Sequence, residues 1–419
     1  MKIFKFGGAS IETVERAKKV AQLIINEKPS LVVISAKGKT TNALEEIAKA
    51  FCDGELQIAK QLYAALEKNH IDFATDLLGN DTDVVFEKLN HFFTEMDWIL
   101  NEKPLRDKNY YYDQIVSIGE LLSTAIIQAY LEQENCNSIW LDARDFVKTN
   151  DDYKDAKVDW DLTESLILEK MPALINDNKI IITQGFIGST DENNSITLGR
   201  EGSDFSAAIF AYCLNAESVT IWKDVPGLLN ADPKLFKDTE KIADISFREV
   251  IELAFYGAQV IHPKTIKPLQ NKNIPMYVKC FLDEKIEGTK IHSLVDKKNY
   301  PPLMVYKKNQ VMIRLSTKDF SFMNEENLSI IYKAFSTYQL KMNITQNAAI
   351  SFVCCVDDVS EKIEKVLASL EQDYKIRTNF GVEILTIRHY NTSILSNLLE
   401  NRLILLEQKT RTTAKYILK

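Results

Sequence analysis

The sequence predicts an α/β protein with a mainly parallel sheet and helices on both faces, followed by ferredoxin-like βαββαβ modules. Two observations carry that prediction. In the first two thirds, short apolar runs at 3–6, 31–35, 138–141, 180–184, 219–222 and 276–278 alternate with stretches of helical spacing, such as 11–26 and 115–130. Strands that alternate with helices build a parallel sheet covered on both sides. Beyond the polar, proline-bearing stretch 293–303 the spacing shortens. There a strand at 311–315, a helix at 325–337, strands at 341–345 and 350–356, a helix at 361–370 and a strand at 374–377 spell βαββαβ.

A second, shorter unit follows: strand 383–389, helix 393–399, strands 403–407 and 413–418. It stops short of a complete βαββαβ. Residues 55–112 are helix-rich with no strand signal, and they read as a helical insertion without an evident task. The expected division is one domain over 1–295 and two small modules over 303–419, since 419 residues exceed one ordinary hydrophobic core.

Composition narrows the function classes. Acidic residues outnumber basic ones, 59 to 51, for a net charge of −8. This argues against nucleic acid or an anionic membrane as partner, so an anionic ligand needs a local basic site. The six cysteines (Cys52, Cys136, Cys213, Cys280, Cys354, Cys355) show no ligand spacing and read as reduced thiols. The N-terminus has no apolar stretch of signal length, which sets the expectation of a cytoplasmic protein.

Four segments carry candidate chemistry. Lys5-Phe6-Gly7-Gly8-Ala9-Ser10 ends the first strand, and paired glycines before a helix let backbone N–H groups approach an oxyanion. A turn that merely needs glycine fits the residues equally well. Gly38-Lys39-Thr40 suggests a P-loop, but Val33 stands where its first glycine belongs, and that reading fails. Ser35–Asn42 nonetheless offers hydroxyls and lysines at a strand exit, unless it is only a solvated turn. Thr197–Asp204 opens a helix with Arg200, Ser203 and Asp204 together, and an arginine there can grip a carboxylate with two parallel hydrogen bonds. Lys223-Asp224-Val225-Pro226-Gly227, leading to Asp232-Pro233-Lys234, is another strand exit with cations. His262 has no ligand-spaced partner and reads as structural.

Together these blocks resemble the aspartate kinases, within the wider amino-acid kinase family. The chain has KFGGAS at 5–10, SAKGKTTN at 35–42, GE at 119–120, QGFIG at 184–188, TLGREGSD at 197–204, KDVPG…DPK at 223–234 and GAQVIHP at 257–263, in family order. The resemblance implies a three-layer αβα sandwich with ACT modules behind it, and phosphorylation of the L-aspartate side-chain carboxylate by Mg-ATP. It implies that Arg200 holds the substrate α-carboxylate and Glu120 its ammonium, with Ser35, Thr41 and Ser203 completing the pocket. Lys5, oriented by Asp204, would serve catalysis. Gly7, Gly8, Ser10, Lys223, Asp224, Lys234 and Lys264 would lie on the ATP side. Mg²⁺ would bridge ATP phosphates, with no metal ligand from protein side chains. Asn343, Ile344, Gln346 and Asn347 would line an effector site for lysine or threonine, residues 303–306 would supply the strand that completes the second module, and the ACT modules would join a homodimer.

Three departures stand out: Ala9 for a family threonine, Glu201 for the second glycine of GRGGSD, and Gln259 for the lysine of GAKV. Glu201 must point away from an anionic substrate or be neutralised, and Lys264 could compensate for Gln259. Two alternatives stay open on the sequence: an amino-acid kinase acting on a glutamate-type substrate, and a non-catalytic amino-acid sensor.

Overall fold

The computed structural model describes residues 1–79, 82–258, 261–293 and 300–419. The chain forms two compact units. In the first, β1 (Lys2–Phe6), α1 (Val14–Glu27), β2 (Leu31–Ile34) and α2 (Thr40–Cys52) lead into α3 (Leu56–Leu78), α4 (Asp83–Asn101), α5 (Lys108–Val116) and α6 (Ile118–Gln133). Then come β3 (Ser138–Leu141), α7 (Trp160–Asn176), β4 (Ile180–Gln184), β5 (Ile187–Ser189), β6 (Ser195–Thr197), α8 (Gly202–Cys213) and β7 (Ser218–Lys223). After these follow β8 (Asp244–Ser246), α9 (Phe247–Tyr256), α10 (Pro263–Asn271), β9 (Met276–Cys280) and β10 (Thr289–His292).

The main sheet has the order β3-β4-β2-β1-β7-β9-β10-β8. Every pairing is parallel except β9–β10. Strands β2 and β4 are buried at every position because helices cover both faces, which is why β2 reads as an unbroken apolar run and β4 opens on three isoleucines. The three-layer α/β expectation holds. The short strands β8 and β10 and the hairpin β5–β6 escaped the sequence reading, being three or four residues each.

The helix expected over 115–130 is two helices that turn at Ser117. The stretch Lys108–Gln133 is long and apolar enough to cross a membrane, but 89% of its apolar window is buried in the protein. It is apolar all round because it is a core helix. The insertion consists of α3, α4 and α5.

In the second unit, β11 (Leu303–Thr317), α11 (Glu325–Thr337), β12 (Met342–Ala348), β13 (Ser351–Asp357), α12 (Ser360–Leu370), β14 (Tyr374–Arg388), α13 (Thr392–Leu399), β15 (Ile404–Lys409) and β16 (Thr413–Leu418) form one antiparallel sheet ordered β12-β13-β11-β14-β16-β15. The strands expected separately at 303–306 and 311–315 are one strand, as are those at 374–377 and 383–389. Asn309 and Gly381 take positive φ where β11 and β14 pair with shifted register, so each interruption is a bulge rather than a break. The first half of β11 pairs with the second half of β14, and thereby completes the short second module.

Compactness divides the chain differently from the reading of 1–295 and 303–419. Residues 229–240 and 252–258 belong with the C-terminal unit. Asn230 accepts from the Met304 N–H at 2.7 Å, and Glu252 pairs with Arg388 at 3.0 Å. The boundary at 293–303 falls partly on 294–299, outside the described residues.

Candidate active site

The carboxyl ends of β1, β2 and β7 and the first turns of α2, α6 and α8 enclose a cleft of about 610 Å³ within the first unit. That is where parallel α/β sheets offer a crevice. Lys5, Gly8, Ser35, Thr41, Glu120, Arg200, Ser203, Asp204 and Lys223 all line it.

Lys5 stands near the end of β1 and meets Asp204 from the first turn of α8, Nζ to Oδ1 2.6 Å. Both side chains are nearly buried, 11% and 5% exposed. Burial alone would raise the Asp204 pKa, but Lys5 and Lys223 outweigh it and hold the carboxyl below its ordinary range. The aspartate is thus ionised and fixes the lysine ammonium at the cleft wall.

The glycine turn after β1 has a backbone reason. A Cβ on Gly8 would lie 2.3 Å from the Ala36 carbonyl oxygen, and the Gly8 carbonyl accepts from the Gly38 N–H at 2.9 Å. Only glycine lets the two strand-exit loops touch through their backbones. Gly119 does the same for α6, because a Cβ there would stand 2.9 Å from both Leu44 and Thr40 side-chain atoms.

That close approach delivers Glu120. Its Oε1 accepts from the Ala36 N–H at 3.2 Å, while Oε2 is buried with no hydrogen-bond partner among the described residues. Burial pushes the Glu120 pKa up to about 8, against the Ala36 N–H and the Lys5 charge. A buried carboxylate oxygen without a partner, in a cleft, is a site for a cationic group.

Arg200 is exposed and lines the cleft at the entry to α8. Next to it Glu201 adopts φ 54° and accepts from the His262 N–H at 2.7 Å, at the start of α10. A helix N-terminus attracts an anion, so the extra negative charge is met there. His262 caps α10, its Nδ1 accepting from the Lys264 N–H at 3.2 Å. Its role is structural, as the sequence indicated.

Other expected residues lie elsewhere. Gly7 and Ser10 are joined by a 2.9 Å backbone hydrogen bond within the turn, and neither lines the cleft. Asp224 is exposed outside it. Lys264 is paired with Asp155 and does not line the cleft. Lys234 belongs to the second unit. Gln259 lies outside the described residues. Among the described residues, no group of three or more His, Cys, Asp or Glu side chains could hold a metal ion.

Of the expected effector residues, Asn343 is held by its own unit: its Nδ2 donates to Gln310 at 2.8 Å and Asp357 at 3.1 Å, and Lys307 donates to its Oδ1 at 3.2 Å. Ile344 is core. Gln346 lines a shallow groove of about 290 Å³, and Asn347 is exposed.

The sequence reading missed the far wall. Tyr112, Glu45 and Lys154 line the cleft, with the Tyr112 hydroxyl donating to Glu45 at 2.6 Å and the Lys154 Nζ 4.1 Å from the Tyr112 ring centroid. Behind them Asp113 is fully buried and accepts from Thr197 Oγ1 at 2.7 Å, the Thr197 N–H at 3.0 Å and the Lys154 N–H at 2.9 Å. Burial, partly opposed by those bonds, raises its pKa to about 6. The available signal was a lone aspartate amid the apolar face of a core helix.

Residues 1–280 match the amino acid kinase family. The chain is 32% identical to the lysine-sensitive aspartokinase 3 of Escherichia coli (strain K12), over 75% of this chain and 69% of that protein. The chain belongs to the aspartokinases. It is also 30% identical to the chloroplastic aspartokinase 2 of Arabidopsis thaliana, over 87% and 71% of the two chains. Its fold matches E. coli aspartokinase III, crystallised with aspartate and ADP, at a TM-score of 0.84 and 24% identity over 100% of this chain and 96% of that one. As an aspartokinase it is a phosphotransferase that uses ATP.

Proposed function

We propose that the cleft binds L-aspartate and Mg-ATP and makes 4-phospho-L-aspartate, opening lysine, threonine and methionine biosynthesis. The observation that carries the proposal is the charge pattern of one cleft. The buried, unpartnered Glu120 oxygen suits the substrate ammonium, Arg200 suits its α-carboxylate, and the Lys5–Asp204 pair stands where the reacting groups would meet. Ser35, Thr41 and Ser203 add hydroxyl walls, and Lys223, with the Gly8 turn, serves the phosphates.

A side-chain carboxylate oxygen attacks the γ-phosphorus, and the bond from phosphorus to the β,γ-bridging oxygen breaks as ADP leaves. A carboxyl of reference pKa near 4 is already ionised, so no general base is needed. Alignment and fixed cations do the work, Lys5 foremost. Mg²⁺ carried on the ATP phosphates would share their charge, a task that fits a cleft whose acidic group nearest the lysines, Asp204, is already paired.

Hydroxylamine trapping tests the substrate. ATP-dependent hydroxamate should form with aspartate, and at least about a hundredfold less with glutamate or without an amino acid. Equal rates with glutamate would reject the assignment, and chelating the magnesium should stop the reaction.

For the second unit the proposal is a homodimer joined through its ACT-like modules. Phe320 and Phe322 are 79% and 76% exposed, and β12 is an edge strand of the sheet. Light scattering should give a dimer mass that falls to a monomer in the Phe320→Ser/Phe322→Ser variant, whereas a wild-type monomer would refute it. Lysine or threonine as effector would use Gln346 and Asn347, since Asn343 is engaged, and either amino acid added to the trapping assay reads this out. The six unpaired cysteines accord with a reducing, cytoplasmic setting.

A further inference from the structure

The helical insertion carries a buried histidine that the reaction does not use. His70, in α3, is 1% exposed. Its Nδ1 lies 2.9 Å from the Leu66 carbonyl oxygen, one turn back in the same helix, and its Nε2 lies 3.3 Å from Thr40 Oγ1. A carbonyl only accepts, so Nδ1 carries the proton and Nε2 is left as an acceptor for the Thr40 hydroxyl. Burial, the main cause, lowers the His70 pKa to about 4, so the ring is neutral near pH 7 and this tautomer persists.

Thr40 opens α2 at the end of the strand-exit loop whose Ser35, Gly38 and Thr41 line the cleft. The same loop meets α3 a second time, with Lys37 Nζ 4.8 Å from the Phe73 ring centroid. From the other side α6 holds it, through the Ala36 N–H on Glu120 and the Lys37 N–H on Ser123 Oγ at 2.8 Å. The loop is therefore gripped between a core helix and the insertion.

We infer that His70 is a positioning residue: through Thr40 it sets the loop that presents Ser35 and Thr41 to the amino-acid substrate, and this is the task of the insertion. The Thr40 hydroxyl, pinned by an acceptor of fixed tautomer, fixes the first turn of α2. With that turn fixed, Thr41 keeps its place in the cleft. The inference rests on Ser35 and Thr41 being walls of the aspartate pocket.

The test uses the full-length protein. His70→Phe removes the acceptor, His70→Gln keeps an acceptor near the Nε2 position, and Thr40→Val removes the hydroxyl while keeping the shape. In His70→Phe and Thr40→Val the KM for aspartate should rise about tenfold, with the KM for ATP changed less than about twofold. His70→Gln should recover most of the loss. The double variant should be no worse than the poorer single one, because both remove one interaction. A folded His70→Phe or Thr40→Val protein with unchanged KM for aspartate, or additive losses in the double variant, would overturn the inference. Should His70→Phe not fold, Thr40→Val decides alone. If the wild-type enzyme makes hydroxamate with no preference for aspartate, the substrate assignment fails instead, and the two failures stay distinct.

Discussion

Lys5→Met should lower kcat about a thousandfold and destabilise the protein by about 3–5 kcal/mol. The two losses share one cause. The ammonium sits 2.6 Å from Asp204 at the wall of the cleft, so its removal deletes a fixed cation from the site of phosphoryl transfer. Removing one preorganised donor of this kind costs about 10²–10³ in kcat, and a full charge facing an anionic transfer belongs at the upper end. The stability loss arises because Asp204, 4% exposed, is left buried without its main partner. Asp204→Asn separates the two roles. It leaves Lys5 in the cleft and removes only what orients it, so kcat should fall less, by about ten- to a hundredfold. Rate assays at saturating ATP and aspartate, with denaturant melts of the same proteins, check both. Equal kcat for Lys5→Met and wild type would remove Lys5 from the mechanism.

The second large effect belongs to Glu120. In the free enzyme burial holds its pKa near 8, so below that pH the carboxyl is largely protonated. A substrate ammonium favours the ionised form, and binding must therefore expel a proton. kcat/KM for aspartate should then rise with pH between about 6 and 8, and titration calorimetry should record proton release on binding. In Glu120→Gln the rising limb disappears, and kcat/KM should fall about a hundredfold or more, the usual cost of removing one partner of a buried charge pair. The sign for stability runs the other way. With its folded pKa raised, Glu120 contributes stability fully present below the ordinary carboxylate range and lost as pH rises through about 8, at no more than about 1.4 kcal/mol per pH unit. Ligand-free protein should melt lower at pH 8 than at pH 6, and aspartate should narrow the gap.

The sequence made the cleft legible where chemistry and backbone geometry coincide. Lys5, Gly8, Glu120, Arg200 and Ser203 sit in short blocks whose glycines are required by close approach, so the pattern and the geometry agree. It was silent on Asp113 and His70. Each looks like an ordinary helix residue until the fold places it under a loop, Asp113 beneath Lys154 and Thr197, His70 beside Thr40. Glu201 was readable as a problem but not as a solution, because its partner is a backbone N–H 61 residues away. The partner of Lys264 was hidden for a similar reason: a lysine near a nucleotide motif invites a phosphate, and Asp155, 109 residues away, is invisible in the pattern. In the second unit the periodicity located the strands but not their continuity, since bulges at Asn309 and Gly381 look like breaks in sequence.

The central claim is that the γ-phosphoryl group goes to the side-chain carboxylate of aspartate, with the α-carboxylate held by Arg200. Borohydride reduction of the freshly formed acyl phosphate distinguishes the two carboxyls. Transfer to the side chain gives homoserine, whereas transfer to the α-carboxyl gives 3-amino-4-hydroxybutyrate. Homoserine as the reduction product, formed only with ATP and aspartate together, is the predicted result. 3-Amino-4-hydroxybutyrate, or no reduced product at all, would contradict it.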